Sequence, residues 1–364
     1  MAQLSNDCFS GTDRLITTSE ALTILSDRIT PVTDVTAVPL RAAVGRILAE
    51  DIVSPVDVPP HANSAVDGYA VFFEDLDPSA ATTLPIGGRA AAGHPLGRAA
   101  NRGEAIRIFT GAPMPDGPDT VMMQEDCREA DGDVTIAPGI KQGANCRAAG
   151  EDVTKGRTIL KTGLRLRPQE VGLAAAVGRA ELQVFEKVRV AIFSTGDEVG
   201  EPGETLAAGK IYDSNRYTTM SALERLGCVV DDLGILQDSP EKIAEAIRKA
   251  ARSHDVLVTS GGMSVGEEDH VGKAVSDNGN LHFWRLAIKP GRPVSLGQVH
   301  AGDRSAAFIG LPGNPVAAMV TFLLIGRPLV LRLGGATEIS PAVYRVTAGF
   351  THKKKLKRRE YVRA

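Results

Sequence analysis

The sequence predicts a multidomain α/β protein, because three textures follow one another along its 364 residues. An apolar-periodic start reads as helix, and a middle punctuated by Pro and Gly reads as short β-strands. From Lys187 onward, apolar runs alternate with helical stretches of roughly ten to fifteen residues. That alternation implies βαβ units and a parallel sheet covered on both faces. The expected organisation is a discontinuous helical domain over 1–55 and 145–183, with a small β domain inserted at 56–144. An α/β domain over 184–333 and a short C-terminal β domain over 334–364 complete it.

Composition narrows the function classes. With 43% hydrophobic and 23% charged residues and a formal charge of -3, the chain is neither disordered nor built around a nucleic-acid surface. Aromatics are only 4%, against 38 Gly and 21 Pro, which favours sites shaped by main chain. Cys8, Cys127, Cys146 and Cys228 show no short metal-binding or redox spacing and read as reduced thiols. No leader-like segment is legible, and the longest apolar run, Val316 to Ile325, is about half a membrane span. A soluble cytoplasmic protein without a membrane partner is expected.

Taken in order, Thr17-Thr-Ser-Glu20 supplies cap chemistry before a helix over Ala21 to Ile29, and a second apolar helix is expected from Leu40 to Asp51. The β texture runs from Val56 through Leu84-Pro-Ile-Gly-Gly88 and Gly93-His-Pro-Leu-Gly97 to Gly111-Ala-Pro-Met-Pro-Asp-Gly117. Helix returns at Pro168 to Val177. Strands follow at Val188–Ser194, Cys228–Leu236, Asp255–Ser260, Leu281–Ile288 and Ala306–Leu311. Helices are expected at Asn215–Leu226, ended by Gly227, and from Ser239-Pro240 to about Arg252.

Ligands in such sheets sit beyond the carboxyl ends of the strands, so the loops there carry the candidates. The first is Ser194-Thr-Gly-Asp-Glu198 with Gly209-Lys-Ile-Tyr-Asp-Ser-Asn215, where Gly196 permits close approach and Asp197, Glu198 and Asp213 add carboxylates. Capping of the next helix explains Asp213, Ser214 and Asn215 as well as ligand contact does, whereas Glu198 reads as functional. The second is Ser260-Gly-Gly-Met-Ser-Val-Gly-Glu-Glu-Asp269. There Gly261, Gly262 and Gly266 free the backbone, Ser260 and Ser264 add hydroxyls, and successive N–H groups suit phosphate oxygens. Asp269 fits either a magnesium ligand or a helix cap.

The third loop is Gly310-Leu-Pro-Gly-Asn-Pro315. Asn314 and Pro315 fit a helix start, and the Pro312-Gly313 turn leaves N–H groups aimed at an anion. Arg285, Lys289 and Arg292 read equally as a solvated basic face or an oxyanion holder. Further upstream, Asn63-Ser-Ala-Val-Asp-Gly-Tyr-Ala70 is a turn before a strand. Asn145-Cys-Arg-Ala-Ala-Gly-Glu-Asp152 clusters Arg147, Glu151 and Asp152, either as an ion-paired hinge or as a site.

Seven of these motifs, in order, resemble the MoeA family: Ser64–Ala70, Thr110-Gly-Ala-Pro-Met-Pro115, Gly150-Glu-Asp152, Ser194–Glu198, Ser260–Gly266, Ala287-Ile-Lys-Pro-Gly291 and Leu311–Pro315. The resemblance runs from about residue 15 to the end. It implies a molybdopterin-binding-like α/β domain in an elongated four-domain homodimer, with a cleft joining that domain of one subunit to the first two domains of the other. The implied reaction is magnesium-dependent. Molybdenum passes from the substrate molybdate to adenylylated molybdopterin and AMP leaves, with a molybdopterin adenylyltransferase as a further partner.

By position, the resemblance draws Asp67, Thr110 and Asp152 from one subunit. Glu198, Asp238, Asp269, Arg285, Lys289, Pro312 and Pro315 come from the other, with Glu198, Asp238 and Asp269 as metal holders. Ser194, Thr195, Gly196, Asp213, Ser260, Gly261, Gly262, Ser264, Gly266, Gly313 and Asn314 are expected around the substrate. The chain departs from the family pattern at Arg285, where Lys is common, and at Ala148 and Ala149, in a stretch that is often basic. Its last domain resembles only the beginning of the family's. Two alternatives use the same fold: a nucleotide pyrophosphatase or adenylyltransferase, which lacks the Ser64–Ala70 and Gly150–Asp152 motifs, and a non-catalytic scaffold, which carries a long linker absent from these residues.

Overall fold

The structure is a computed structural model describing residues 15–261, 270–351 and 358–362. The chain divides into two compact units, one of Met1–Glu50, Lys161–Val171 and Ala180–Ala364 and one of Asp51–Leu160 and Gly172–Arg179.

In the first unit, α1 (Thr18–Arg28) opens on a capping box: Thr17 Oγ1 accepts from Glu20 N–H, and the Glu20 carboxylate accepts from Thr17 N–H at 2.7 Å. The α/β elements follow as β1 (Arg189–Thr195), α2 (Ser214–Leu226), β2 (Val229–Leu236), α3 (Pro240–Ala251), β3 (Val256–Ser260), α4 (His270–Asp277), β4 (Gly279–Arg285), β5 (Pro293–Ala301), β6 (Arg304–Leu311) and α5 (Pro315–Thr321). They form one six-stranded sheet in the order β2-β1-β3-β6-β5-β4.

Strands β2, β1, β3 and β6 are mutually parallel, whereas β5 runs antiparallel to both β6 and β4. The wholly parallel sheet expected from the sequence is therefore corrected to a mixed one. The cause is β5, which starts on Pro293, carries Gly297 and was not legible as a strand. A Cβ on Gly297 would stand 2.5 Å from the Asn280 carbonyl oxygen, so only glycine fits there. The two-residue turn Gly302-Asp303, with Gly302 at φ 67°, then reverses the chain into β6.

Side chains alternate between the two faces of the sheet. Val190, Ile192, Val258 and Ile309 pack with Leu25, Leu223, Phe322 and Leu329 on one side. Ala191, Phe193, Leu257 and Phe308 pack with Ile243, Ile247, Val271 and Val275 on the other. Helix α5 continues through a π-turn at Phe322–Gly326 into Arg327–Leu333. The sequence had the apolar run stopping at Ile325. The resulting 19-residue helix is long and apolar enough to cross a membrane, but 61% of its most apolar window is buried inside the fold.

Helix ends follow local chemistry. Ser239 caps α3 and Asn314 caps α5, each with Pro in the first turn. Gly227 ends α2 at φ 96°. A Cβ there would meet only the Gly45 carbonyl oxygen at 3.7 Å, so Gly227→Ala costs conformational strain alone, about 1–2 kcal/mol. Urea unfolding of the variant measures it, and a neutral result would contradict the left-handed cap.

The helix expected over Leu40–Asp51 is not formed. A 3₁₀ turn at Leu40–Ala42 is followed by Gly45 at φ 81°, and Leu48 N–H donates to the Leu164 carbonyl. Long-range pairing there buries Leu48 completely, which a free-standing helix would not. Nearby, Val35–Pro39 pairs antiparallel with Glu181–Phe185, so the region expected to be helical is partly strand. Residues 334–351 hold no strand, and Arg359–Glu360 pairs with Ile288–Lys289, so among the described residues no separate C-terminal β sheet is present.

The second unit is built on another mixed sheet, with strands in the order Thr120–Met123, Gly68–Val71, Ala105–Ile108, Thr82–Ala90, Asp133–Ile136 and Cys127–Ala130. Its inner residues are mostly apolar: Ala70, Ala90, Ile106, Ile108 and Val121 on one face, and Tyr69, Val71, Leu84, Met122 and Val134 on the other.

Candidate functional site

In the first unit the ends of β1, β3 and β6 bring three glycine turns together. Gly196 has φ 124° and Gly261 φ 84°. Gly261 N–H donates to the Leu311 carbonyl at 3.2 Å. A Cβ on Gly261 would stand 3.6 Å from the Thr195 carbonyl oxygen, and one on Gly313 would stand 3.8 Å from the Gly261 Cα. Side chains on Gly261 and Gly313 would therefore reach across to the neighbouring turn and fill the space above the sheet. In the strands leading into them, the side chains of Ser194, Thr195 and Thr259 are buried and their hydroxyls find no hydrogen-bond partner among the described residues, Ser194 facing one side of the sheet and Thr195 and Thr259 the other. Buried hydroxyls left in this state accommodate an incoming polar group or water.

Glu198 folds back over the first turn, where a Cβ on Gly196 would stand 2.9 Å from its carboxyl carbon. The main chain of Glu198 is tied down, since its carbonyl accepts Ile211 N–H at 2.8 Å beside the ladder of Val199–Gly200 with Ile211–Tyr212. Its carboxylate is exposed, as is that of Asp238 in the loop after β2, and neither has a hydrogen-bond or ion-pair partner among the described residues. Because β1 and β2 are neighbours, both carboxylates leave the same sheet edge. Gly262, Ser264, Gly266 and Asp269 lie outside the described residues. Among the described residues, no group of three or more His, Cys, Asp or Glu side chains is placed to hold a metal.

Several expected ligands are engaged inside the fold. Asp213 is buried and caps α2, accepting Arg216 N–H at 3.1 Å and Arg216 Nε–H at 2.9 Å. Asn314 accepts from Val316 and Ala317 N–H, each at 3.1 Å. Asn215 Nδ2 donates to the Gly313 carbonyl at 2.8 Å, joining the first and third loops. Arg285 ends β4, which runs parallel to β6, and is exposed at the sheet's carboxyl edge. Lys289 pairs loosely with Glu360 at 3.5 Å and is half exposed. The half-buried Arg292 Nε has no partner among the described residues.

The second unit assembles its own candidates. Asn63–Ser64 pairs antiparallel with Cys146–Arg147, and Ser64 N–H donates to Ala112, so three separated motifs meet. Asp67 Oδ1 accepts from both Thr110 N–H and Thr110 Oγ1–H at 2.7 Å. These two bonds, with Arg107 nearby, hold the Asp67 carboxyl below its ordinary pKa. A folded-state value below the unfolded one means the contact is intact at neutral pH and fades only as pH falls through the lowered value. Thr110→Val deletes one donor, so the Asp67 titration midpoint, followed by carbon NMR, is expected to rise; an unchanged midpoint would remove the side-chain bond from the account. Asp152 is held by Arg147 at 2.7 Å, and the same guanidinium reaches Glu151 at 3.1 Å.

Arg216 was not among the residues expected from the sequence, although an Asp N-cap followed three residues later by Arg is a recognisable signal. Nor was Phe109 expected, whose ring has the guanidiniums of Arg89 and Arg107 within 4.6 and 4.7 Å of its centre. Cys127, Cys146 and Cys228 are unpaired, and burial pushes Cys228 up to about 12 and Cys127 up to about 11, so neither is a reactive thiolate.

Two family models match in tandem: the MoeA N-terminal region (domain I and II) over residues 16–178 and a probable molybdopterin binding domain over residues 191–332. A molybdopterin molybdenumtransferase of Haemophilus influenzae is 43% identical over 300 residues, covering 82% of this chain and 73% of that protein. The one from a Nostoc species is 36% identical over 309 residues, covering 84% and 71%. The crystal structure of a molybdopterin biosynthesis MoeA protein from Pyrococcus horikoshii superposes with a TM-score of 0.72 at 32% identity, covering 89% of this chain and 80% of that one.

Proposed function

Because the chain belongs to the MoeA family of molybdopterin molybdenumtransferases, we propose that it inserts molybdenum from molybdate into adenylylated molybdopterin, releasing AMP, in molybdenum cofactor biosynthesis. The observation that carries this reading is the cradle of Gly196, Gly261 and Gly313 at the carboxyl ends of β1, β3 and β6, a shape suited to phosphate oxygens. Free carboxylates on one side of it and cations on the other supply what splitting a phosphoanhydride needs.

Exposed hard-oxygen donors without competing partners suit magnesium, which takes one or two carboxylates alongside phosphate oxygens and water. Glu198 and Asp238 fit that donor set, and Asp269 is proposed as the third holder. Bound there, magnesium would neutralise charge on the pyrophosphate. Arg285 and Lys289 hold molybdate or phosphate oxygens, Arg285 by a planar fork where an ammonium would act as a point charge. Main-chain N–H groups of the Leu311–Pro315 turn stabilise charge developing on the departing AMP oxygen. Asp67, Thr110 and Asp152 complete the site from a second copy of the chain, which makes the active form a homodimer. A molybdopterin adenylyltransferase delivers the substrate, and the reaction is placed in the cytoplasm.

The test is incubation of the purified chain with adenylylated molybdopterin, magnesium and molybdate while AMP is followed. AMP release should require both ions and accompany molybdenum incorporation. Release from ordinary dinucleotides without molybdate would favour a pyrophosphatase, and no turnover at all a scaffold.

A further inference from the structure

Arg216 is 1% exposed, yet its guanidinium meets carboxylates from three separate segments. Asp213 belongs to the cap of α2, Asp232 to β2, and Glu201 to the segment that follows Glu198. The Tyr217 ring lies 4.9 Å from the guanidinium carbon, and its hydroxyl donates to Glu201 as well. One carboxylate would balance the buried charge. Three exceed that need, and a planar fork with donors in fixed directions explains them as a matter of geometry.

Each of the three acids stands next to a site loop. Glu201 is three residues beyond Glu198 and directly follows the Val199–Gly200 strand that is zipped to Ile211–Tyr212. Asp232 lies where β2 slips register against β1, and its other oxygen accepts Gly234 N–H at 2.9 Å. Gly234, at φ 73°, turns the chain there on its way to Asp238. Asp213 starts the helix whose Asn215 holds the Gly313 carbonyl.

We propose that Arg216 is a positioning residue for the reaction: one buried guanidinium fixes the Glu198 loop, the Asp238 loop and, through α2, the Gly313 turn in a common frame. It touches no substrate and acts through the carboxylates and main chain it holds. The assignment rests on the reading that Glu198 and Asp238 act in the site.

Removing Arg216 itself threatens the fold, so the test uses the outer edge of the network, where the Glu201 side chain is 35% exposed. In Glu201→Ala, hydrogen exchange of the amides from 197 to 212 is expected to quicken about tenfold while that of β3 and β6 is unchanged. AMP release should lose about tenfold in kcat with KM for the adenylylated pterin nearly constant, because misplacement rather than lost binding slows the step. Glu201→Gln, which keeps an acceptor oxygen, should recover part of both. Faster exchange with wild-type kcat, or wild-type values of both, overturns the assignment. Glu198→Gln is measured in parallel. A wild-type rate there overturns the site reading and this assignment together, whereas a slow Glu198→Gln beside a wild-type Glu201→Ala overturns this assignment alone.

Discussion

Replacing Asp67 by Asn is expected to slow molybdenum insertion by about 10²-fold, the range lost when a group that positions the reacting parts is removed. The change is nearly isosteric. The amide oxygen can still accept from Thr110 N–H and Oγ1–H, so the turn keeps its shape and only the charge disappears. In the native chain those two bonds keep the carboxyl below its ordinary pKa, so at neutral pH it is ionised. Circular dichroism and thermal melting should stay near wild type while AMP release falls. A rate within about threefold of wild type would remove Asp67 from the site, since such a loss is far smaller than that of a positioning group.

The same variant tests whether the site is shared between two copies. Asp67→Asn and Glu198→Gln, each inactive alone, are mixed in equal amounts under conditions that exchange subunits. Half of the resulting dimers carry both defects in one of their two sites and none in the other, so about a quarter of wild-type activity should return. If each site were made within a single chain, mixing would restore nothing.

The second large effect concerns stability. Arg216→Met is expected to cost about 3–5 kcal/mol, the loss typical when one member of a buried ion cluster is removed. The side chain of Asp213 is only 3% exposed, and without the guanidinium its charge has no counterion in the interior. Burial works against the Arg216 charge, yet bonds to Asp213, Asp232 and Glu201 more than offset this and raise its pKa above the ordinary value. Guanidinium unfolding provides the measurement, and a loss below about 1 kcal/mol would show the cluster to be solvated in solution. Arg216→Lys keeps the charge, but an ammonium cannot span three fixed acceptors as the fork does, so an intermediate loss is expected.

The glycine turns at the strand ends were legible because they depend on glycine spacing after strands. Gly196, Gly261 and Gly313 all emerged from the sequence, and all three stand in the turns that end β1, β3 and β6. Which polar residues remain free for a ligand was not legible. Asp213 and Asn314 look the same in sequence whether they cap or bind, and the structure shows both carrying out cap chemistry. Asp67 and Thr110 are 43 positions apart, and only strand pairing in the second unit makes them partners.

By itself the sequence determined the helix caps at Ser239 and Asn314, the glycine stop at Gly227, the run of parallel strands and the family to which the chain belongs. These are local features, set by chemistry within a few residues or by motifs read in order. Tertiary structure alone decided that Leu40–Asp51 would give up helix for long-range pairing, that β5 would enter the sheet antiparallel, and that Arg216 would collect three carboxylates. The physical reason is that a backbone or buried charge takes whichever partners the whole fold presents, and partners distant in sequence leave no mark on the local pattern.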